Sequence, residues 1–214
     1  MRRVNLLAES GKRRFPSPRP SGRLNPMKLT RWICLSTRDV VRDRWARVRA
    51  DRVEIANGEV LDPFYVIEEH EWVHSVVLDR DQQILLVRQY RYPGDVFTWE
   101  LPGGMVEHGE DLLLAAQREL IEETGASAPQ WRHIASLFPN PARQTNRIHA
   151  YLAEDAAITA TPQLDSSEAI ECGWHTIAGV FDLIRSGEFC QANHIALFYL
   201  TLEALGRITH QEPE

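Results

Sequence analysis

The chain has 214 residues, 43% of them hydrophobic and 25% charged, with a net charge of -6. That composition is of an ordinary globular kind, and the length allows one domain or one domain plus a small appendage. Three distant cysteines, Cys34, Cys172 and Cys190, support neither a disulfide framework nor a metal spacing, and no apolar run approaches the length of a membrane span.

Residues 1–26 are rich in Arg, Pro and Ser, and carry Arg2, Arg3, Lys12, Arg13, Arg14, Arg19 and Arg23 against the single acid Glu9. They lack periodicity and read as a disordered basic extension or a mis-assigned start before Met27. The rest of the chain is therefore acidic, which argues against non-specific nucleic-acid binding. The odd, scattered cysteines point to a reducing cytoplasm. Residues 27–69 alternate apolar and polar side chains. Strands are predicted at Arg31–Leu35, Trp45–Ile55 and Phe64–Glu68, with an Asn57-Gly58 turn, as a small N-terminal β subdomain.

Residues 70–207 form the second predicted domain, with a tail at 208–214. Its predicted strands are Trp72–Leu78, Gln83–Tyr90, Thr98–Leu101, Trp131–Leu137, Arg147–Leu152 and Ile170–Trp174. Predicted helices span Glu110–Thr124, Gly179–Ser186 and Ala192–Leu205. Strands, one helix, more strands and closing helices define an α+β chain.

The segment 104–126 carries the strongest chemical signal. A helix advances about 100° per residue, so Glu119, Glu122 and Glu123 share one arc. Like charges at such spacing repel, and an oxygen-binding divalent cation such as Mg²⁺ is the simplest use for them. Leu113, Ala116 and Leu120 form an apolar stripe for docking. Glu110 and Asp111 suit the first helical turn, and Gly125 suits the C-terminal cap. Arg118 is spaced to pair with Glu122 and Glu119. Leu101-Pro102-Gly103-Gly104 just before reads as a sharp loop whose carbonyls can face a metal.

Gly104, Glu110, Arg118-Glu119-Leu120, Glu122-Glu123, Gly125 and Ala126, at these spacings, fill every fixed position of the signature known as the Nudix box. The chain thus resembles the Nudix hydrolases. The approach to the box, Val87-Arg88-Gln89-Tyr90-Arg91-Tyr92 into Trp99-Glu100-Leu101-Pro102-Gly103-Gly104, looks most like the ADP-ribose pyrophosphatase branch. So do Pro141 downstream of the box and the small sheet at 31–69. The run Pro141-Ala142-Arg143-Gln144-Thr145-Asn146 departs from that branch, where glycine and then an acid often follow the proline.

The resemblance implies an α/β/α sandwich with a mixed sheet, preceded by the small antiparallel sheet and dimerising through it. It implies Mg²⁺-dependent hydrolysis of a nucleoside diphosphate derivative, with Mn²⁺ a possible substitute. ADP-ribose, cleaved to AMP and ribose 5-phosphate, is the first candidate. Another nucleoside diphosphate sugar such as GDP-mannose, a dinucleotide, an oxidised nucleoside triphosphate, or a non-catalytic nucleotide-sensing module are the alternatives. Glu119, Glu123 and the Gly103 carbonyl are the expected metal ligands. Glu122, Arg118 and Glu168 are the expected catalytic group, with Glu168 the candidate base and Glu171 its fallback. Arg91, Arg88, Tyr90, Glu100 and Pro141 are the expected substrate contacts. Arg91 and Arg88 read equally as surface ion pairs, and Trp99 reads as core. The eight histidines read as structural or surface residues.

Overall fold

The computed structural model describes residues 29–164 and 169–208. The expectations for residues 1–26, for most of the tail and for Glu168 fall outside these.

The N-terminal sheet is antiparallel, ordered β1 (Ile33–Arg42), β2 (Arg47–Glu54), β3 (Val60–Glu68). β1 continues well past the predicted Leu35, pairing as far as Arg42 with Arg47. All its residues are exposed, so no buried face marks it by alternation. β3 starts at Val60, earlier than predicted. The Asn57-Gly58 turn forms as expected: Gly58 N–H donates to the Ile55 carbonyl at 2.9 Å, and Glu59 N–H to Asn57 Oδ1 at 2.9 Å.

The main sheet follows the path β12 (Glu171–His175), β5 (Ile84–Arg91), β4 (Trp72–Leu78), β10 (Ile148–Glu154), β9 (Gln130–Leu137). β6 (Val96–Glu100) adds to β5, and β7 (Gly103–Met105) adds to β4. β10 runs parallel to β4 while the other pairs are antiparallel, so the sheet is mixed. A two-residue pair, β8 (Ala126–Ser127) with β11 (Ala157–Ile158), was not predicted. Strands that short carry no readable period.

Side-chain alternation divides the core into two layers. On one face, Val76, Leu78, Ile84, Leu86, Ala150 and Leu152 pack with Leu197, Phe198 and Leu202 of α3 (Ala192–Ala204), and with Val180 of α2 (Ile177–Ser186). On the other face, Val77, Leu85 and Ala153 meet Leu120, and Val73 and Tyr151 meet Ala115 and Ala116, all three from α1 (Leu112–Thr124). The expected α/β/α sandwich with a small preceding sheet is thus present. Full burial of residues such as Leu86 and Leu152 is worth about 1.5–3 kcal/mol each.

α1 begins later than predicted. Asp111 is its N-cap, accepting from Leu113 N–H at 2.9 Å and Leu114 N–H at 3.2 Å, and Glu110 lies outside the helix. Gly125 closes it in the left-handed conformation, its N–H donating to the Ile121 carbonyl at 2.8 Å.

Candidate active site

The site sits where α1 meets β7. The predicted sharp loop is only the bend at Leu101-Pro102; Gly103 and Gly104 enter β7 and pair with His74 and Val73 of β4. A glycine-rich strand lacks the β-branched signature, so sequence propensity read it as loop. Both glycines are required sterically. A Cβ on Gly103 (φ 148°) would lie 2.1 Å from the Val73 carbonyl oxygen, and one on Gly104 would lie 2.5 Å from the Glu119 carboxylate. The backbone therefore passes directly against the acidic edge of the helix.

Arg118 organises that edge. Its Nε and Nη2 donate to the two Glu110 oxygens, both at 2.9 Å, in the fork geometry suited to a carboxylate. Its Nη1 donates to Glu119 at 2.8 Å and to Glu122 at 3.0 Å, and Nη2 also reaches the Met105 carbonyl at 3.1 Å. The three carboxylates hold the guanidinium more firmly protonated, Glu110 contributing most. In return, the Arg118 bond holds the Glu110 carboxyl below its ordinary range. Arg118 thus offsets the like-charge repulsion on this face.

Glu123 is turned elsewhere. It is buried, and its Oε2 accepts from Gly103 N–H at 2.8 Å. Glu119, Glu122, Glu123, Arg118, Gly103 and Gly104 nevertheless line one cavity of about 410 Å³, which Gln89, Arg91 and Gln163 also border. Among the described residues no three His, Cys, Asp or Glu side chains meet closely enough to hold a metal by themselves. Along the arc that Glu119, Glu122 and Glu123 share, Arg118 holds the first two and the Gly103 N–H the third. The donor set still fits Mg²⁺, a hard ion that takes one or two carboxylates and completes its shell with water and substrate oxygens.

The remaining expected residues separate by strand alternation. Gln89 and Arg91 share one face of β5, while Arg88 and Tyr90 share the other. Arg91 grips the buried Glu100 with two bonds, Nε to Oε1 at 2.8 Å and Nη2 to Oε2 at 2.5 Å. Glu100 therefore positions Arg91 and lies outside the lining of the 410 Å³ cavity. Arg88 is not brought to the box. It pairs with Glu171 at 3.6 Å and lies over the Phe97 and Trp99 rings, in a neighbouring cavity of about 510 Å³ that shares Gln89 with the first. Tyr90 donates its hydroxyl to Asp95 at 2.9 Å and tilts against Phe97. Trp99 packs against the main core, as read from sequence.

Pro141 is not among the residues lining the 410 Å³ cavity. It is exposed at the tip of a turn in which Arg143 and Gln144 N–H groups donate to the Asn140 carbonyl at 3.0 and 2.8 Å. The turn is tied to β3, Ile67 N–H donating to the Arg143 carbonyl at 2.8 Å and Thr145 N–H to the Ile67 carbonyl at 3.2 Å. Pro139, Gln144 and Asn146 instead line a second cavity of about 570 Å³, which shares Trp72 and Arg91 with the first.

Two histidines lie on its wall. His74 and His194 are buried with ring centroids 4.3 Å apart, and His194 Nδ1 accepts from Leu101 N–H at 2.9 Å. Burial, with Arg91 nearby, lowers the His74 pKa to about 4. Burial, with His74 and Arg91 nearby, also pushes His194 well below its ordinary value. Their pairing was missed because strand β4 and helix α3 lie far apart in sequence.

The profile of the NUDIX domain matches residues 69–198, and that of the nucleoside diphosphate sugar hydrolase N-terminal domain matches residues 32–67. The chain belongs to the Nudix family and is a Nudix hydrolase. It is 33% identical over 163 residues to a CMP-5'-(N-acetyl-N-hydroxy-3-aminopropyl)phosphonate hydrolase of Streptomyces rubellomurinus, covering 73% of this chain and 75% of that one. It is 31% identical over 151 residues to an ADP-ribose pyrophosphatase of Mycobacterium tuberculosis, covering 70% of this chain and 72% of that one. A crystal structure of an ADP compounds hydrolase superposes with a TM-score of 0.74 at 23% identity, over 84% of this chain and 98% of that one, and shares the fold.

Proposed function

We propose that the protein hydrolyses the diphosphate bridge of a nucleoside diphosphate derivative in a Mg²⁺-dependent reaction, with ADP-ribose giving AMP and ribose 5-phosphate. The observation carrying this reading is the single cavity lined by Glu119, Glu122, Glu123 and Gly103 on one side and Arg91 on another. Carboxylates to hold a cation and a guanidinium to meet phosphate oxygens are the two parts a diphosphate needs. One relative is named for ADP-ribose and another for a CMP-linked phosphonate, and both names fit a nucleotide joined through phosphorus to a second group.

Glu119, Glu123 and the Gly103 carbonyl would hold the ion. Mg²⁺, or Mn²⁺ in its place, supplies charge neutralisation and a bound water of lowered pKa. Arg118 fixes the carboxylates of Glu119 and Glu122, so the edge meets a substrate already oriented. Glu122, its side chain 44% exposed, is the carboxylate most open to solvent on this edge and suits a water-directed role. Glu168 remains the proposed base. Gln163, shortly before it in the chain, borders the cavity and donates its N–H to the Glu122 carbonyl at 2.8 Å. Glu171 is less suited, since its carboxylate pairs with Arg88 and it lines the neighbouring cavity, not that of the box.

A homodimer through the N-terminal sheet belongs to the same proposal, supported by exposed Ile33, Leu35, Val40 and Val41 along β1 and Trp32 just before it. No helix among the described residues is long and apolar enough to cross a membrane. The reaction is tested by AMP release from ADP-ribose with and without Mg²⁺, beside GDP-mannose and a dinucleotide. Metal-dependent AMP release is expected, and folded protein inert toward every one of them would refute the reading.

A further inference from the structure

We infer that His194 is a positioning residue for the metal edge of the box: from the far end of the chain, its ring fixes the bend that carries Gly103 to the site. The inference rests on the proposed diphosphate hydrolysis, in which the Gly103 carbonyl holds the ion.

The bend is a gap between two strand pairings. β6 ends at Glu100 and pairs with β5, whereas β7 begins at Gly103 and pairs with β4. Leu101 and Pro102 belong to neither strand, and both are buried. A buried backbone group outside a ladder needs a partner of another kind. Three polar groups of the bend find theirs on three separate elements. The Leu101 N–H donates to His194 Nδ1, on α3, at 2.9 Å. Pro102 has no N–H, and its carbonyl accepts from the Ser75 N–H, on β4, at 2.9 Å. The Gly103 N–H donates to Glu123, on α1, at 2.8 Å. Ser75 contributes only its backbone and Glu123 belongs to the box, which leaves His194 as a side chain devoted to the bend.

The ring is held for this task. His194 is 2% exposed and packs against His74 and Phe189, with ring centroids 4.3 and 6.3 Å away. Leu197 and Phe198 seal the same helix to the core. Accepting at Nδ1 requires a neutral ring with its proton on Nε2. Burial, with His74 and Arg91 nearby, disfavours the charged form. So does the place of His194 in the first turn of α3, where the helix dipole is positive.

The consequence falls on the ion. Without the acceptor the Leu101 N–H is buried and unpaired, and the bend must shift to recover a partner. Gly103, two residues on, moves with it. Partners that orient a metal ligand from behind carry about tenfold to hundredfold in metal affinity.

The test compares His194→Asn with His194→Leu in the full chain. The two side chains have nearly the same shape, and only asparagine offers an acceptor in place of Nδ1. Mn²⁺ binding is followed by electron paramagnetic resonance with a non-hydrolysable methylene analogue of ADP-ribose present. Steady-state rates on ADP-ribose give the Mg²⁺ concentration for half-maximal turnover. His194→Leu should weaken Mn²⁺ binding and raise that concentration by about tenfold. Excess Mg²⁺ should restore kcat, with KM for ADP-ribose unchanged. His194→Asn should stay close to the parent in both measurements. In the parent, the ¹⁵N signals of the Leu101 amide and of His194 Nδ1 should shift when Mg²⁺ is added to the analogue complex, a readout independent of whether the leucine variant folds. Equal weakening in both variants would make the bulk of the ring the cause, not its acceptor, and overturn the inference. Parental behaviour in both variants, or parent signals indifferent to Mg²⁺, would overturn it too. In each case Mg²⁺-dependent hydrolysis by the parent leaves the diphosphate reading standing. A parent that neither binds the ion nor hydrolyses ADP-ribose overturns both.

Discussion

The N–H of Gly103 donates to the Glu123 carboxylate at 2.8 Å, joining strand β7 to the last turn of the box helix. The bond fixes a buried carboxylate at the edge of the cavity without neutralising it. Glutamine can accept the same bond, so Glu123→Gln removes charge while keeping the contact. Glu119→Gln likewise keeps an oxygen for Arg118. Both variants should lose roughly 10²–10³ in turnover, the scale of a displaced electrostatic partner at a reacting centre. Stability should change by only about 1 kcal/mol. Steady-state rates beside urea unfolding check this, and wild-type rates in both variants would remove Glu119 and Glu123 from the ligand set.

The two glycines of β7 should respond differently to alanine. At Gly103 the new Cβ meets the Val73 carbonyl at 2.1 Å, a backbone atom that cannot move alone, and φ is 148°. Gly103→Ala should destabilise the fold by about 2 kcal/mol or more. At Gly104 the Cβ meets the Glu119 carboxylate, the end of a side chain that can turn aside. Gly104→Ala should cut activity while sparing thermal stability. Equal losses of stability in the two variants would contradict this assignment.

Arg118→Lys should fail to replace the arginine. A lysine cannot present the fork that bonds both Glu110 oxygens, nor reach Glu119 and Glu122 from the same group. The expected loss is about 1–3 kcal/mol in chemical unfolding, with reduced turnover. A variant as stable and as active as the parent would show that Arg118 does not organise the edge.

The buried histidines make stability depend on pH. Above pH 6.5 their rings are neutral folded and unfolded, so they add no slope. Below it the unfolded chain takes up protons that the folded chain refuses, His74 until about pH 4 and His194 until well below its ordinary range. Each ring should therefore remove up to about 1.4 kcal/mol of stability per pH unit as pH falls through this window. Urea unfolding at pH 7, 6 and 5 measures the slope. His74→Phe should flatten it by one proton, and an unchanged slope would place the titration elsewhere.

Much of this was legible in the sequence because it is local. The box helix, its Gly125 cap, the spacing of Arg118 to its carboxylates and strand β4 all follow from periodicity and short-range pairing. What was not legible is long-range or lacks a period. β7 is mostly glycine, β1 has no buried face, and the histidine pair joins a strand to a helix at the far end of the chain. Arg88 and Arg91 look alike in sequence, and only the start of strand alternation decides which faces the box.

Titration of Mn²⁺ followed by electron paramagnetic resonance, with the methylene analogue of ADP-ribose present, tests the acidic edge most directly. The wild-type protein should bind the ion, and Glu119→Gln and Glu123→Gln should each weaken that binding by roughly tenfold or more. No bound Mn²⁺ in the wild-type protein, or undiminished binding in both variants, would contradict the account.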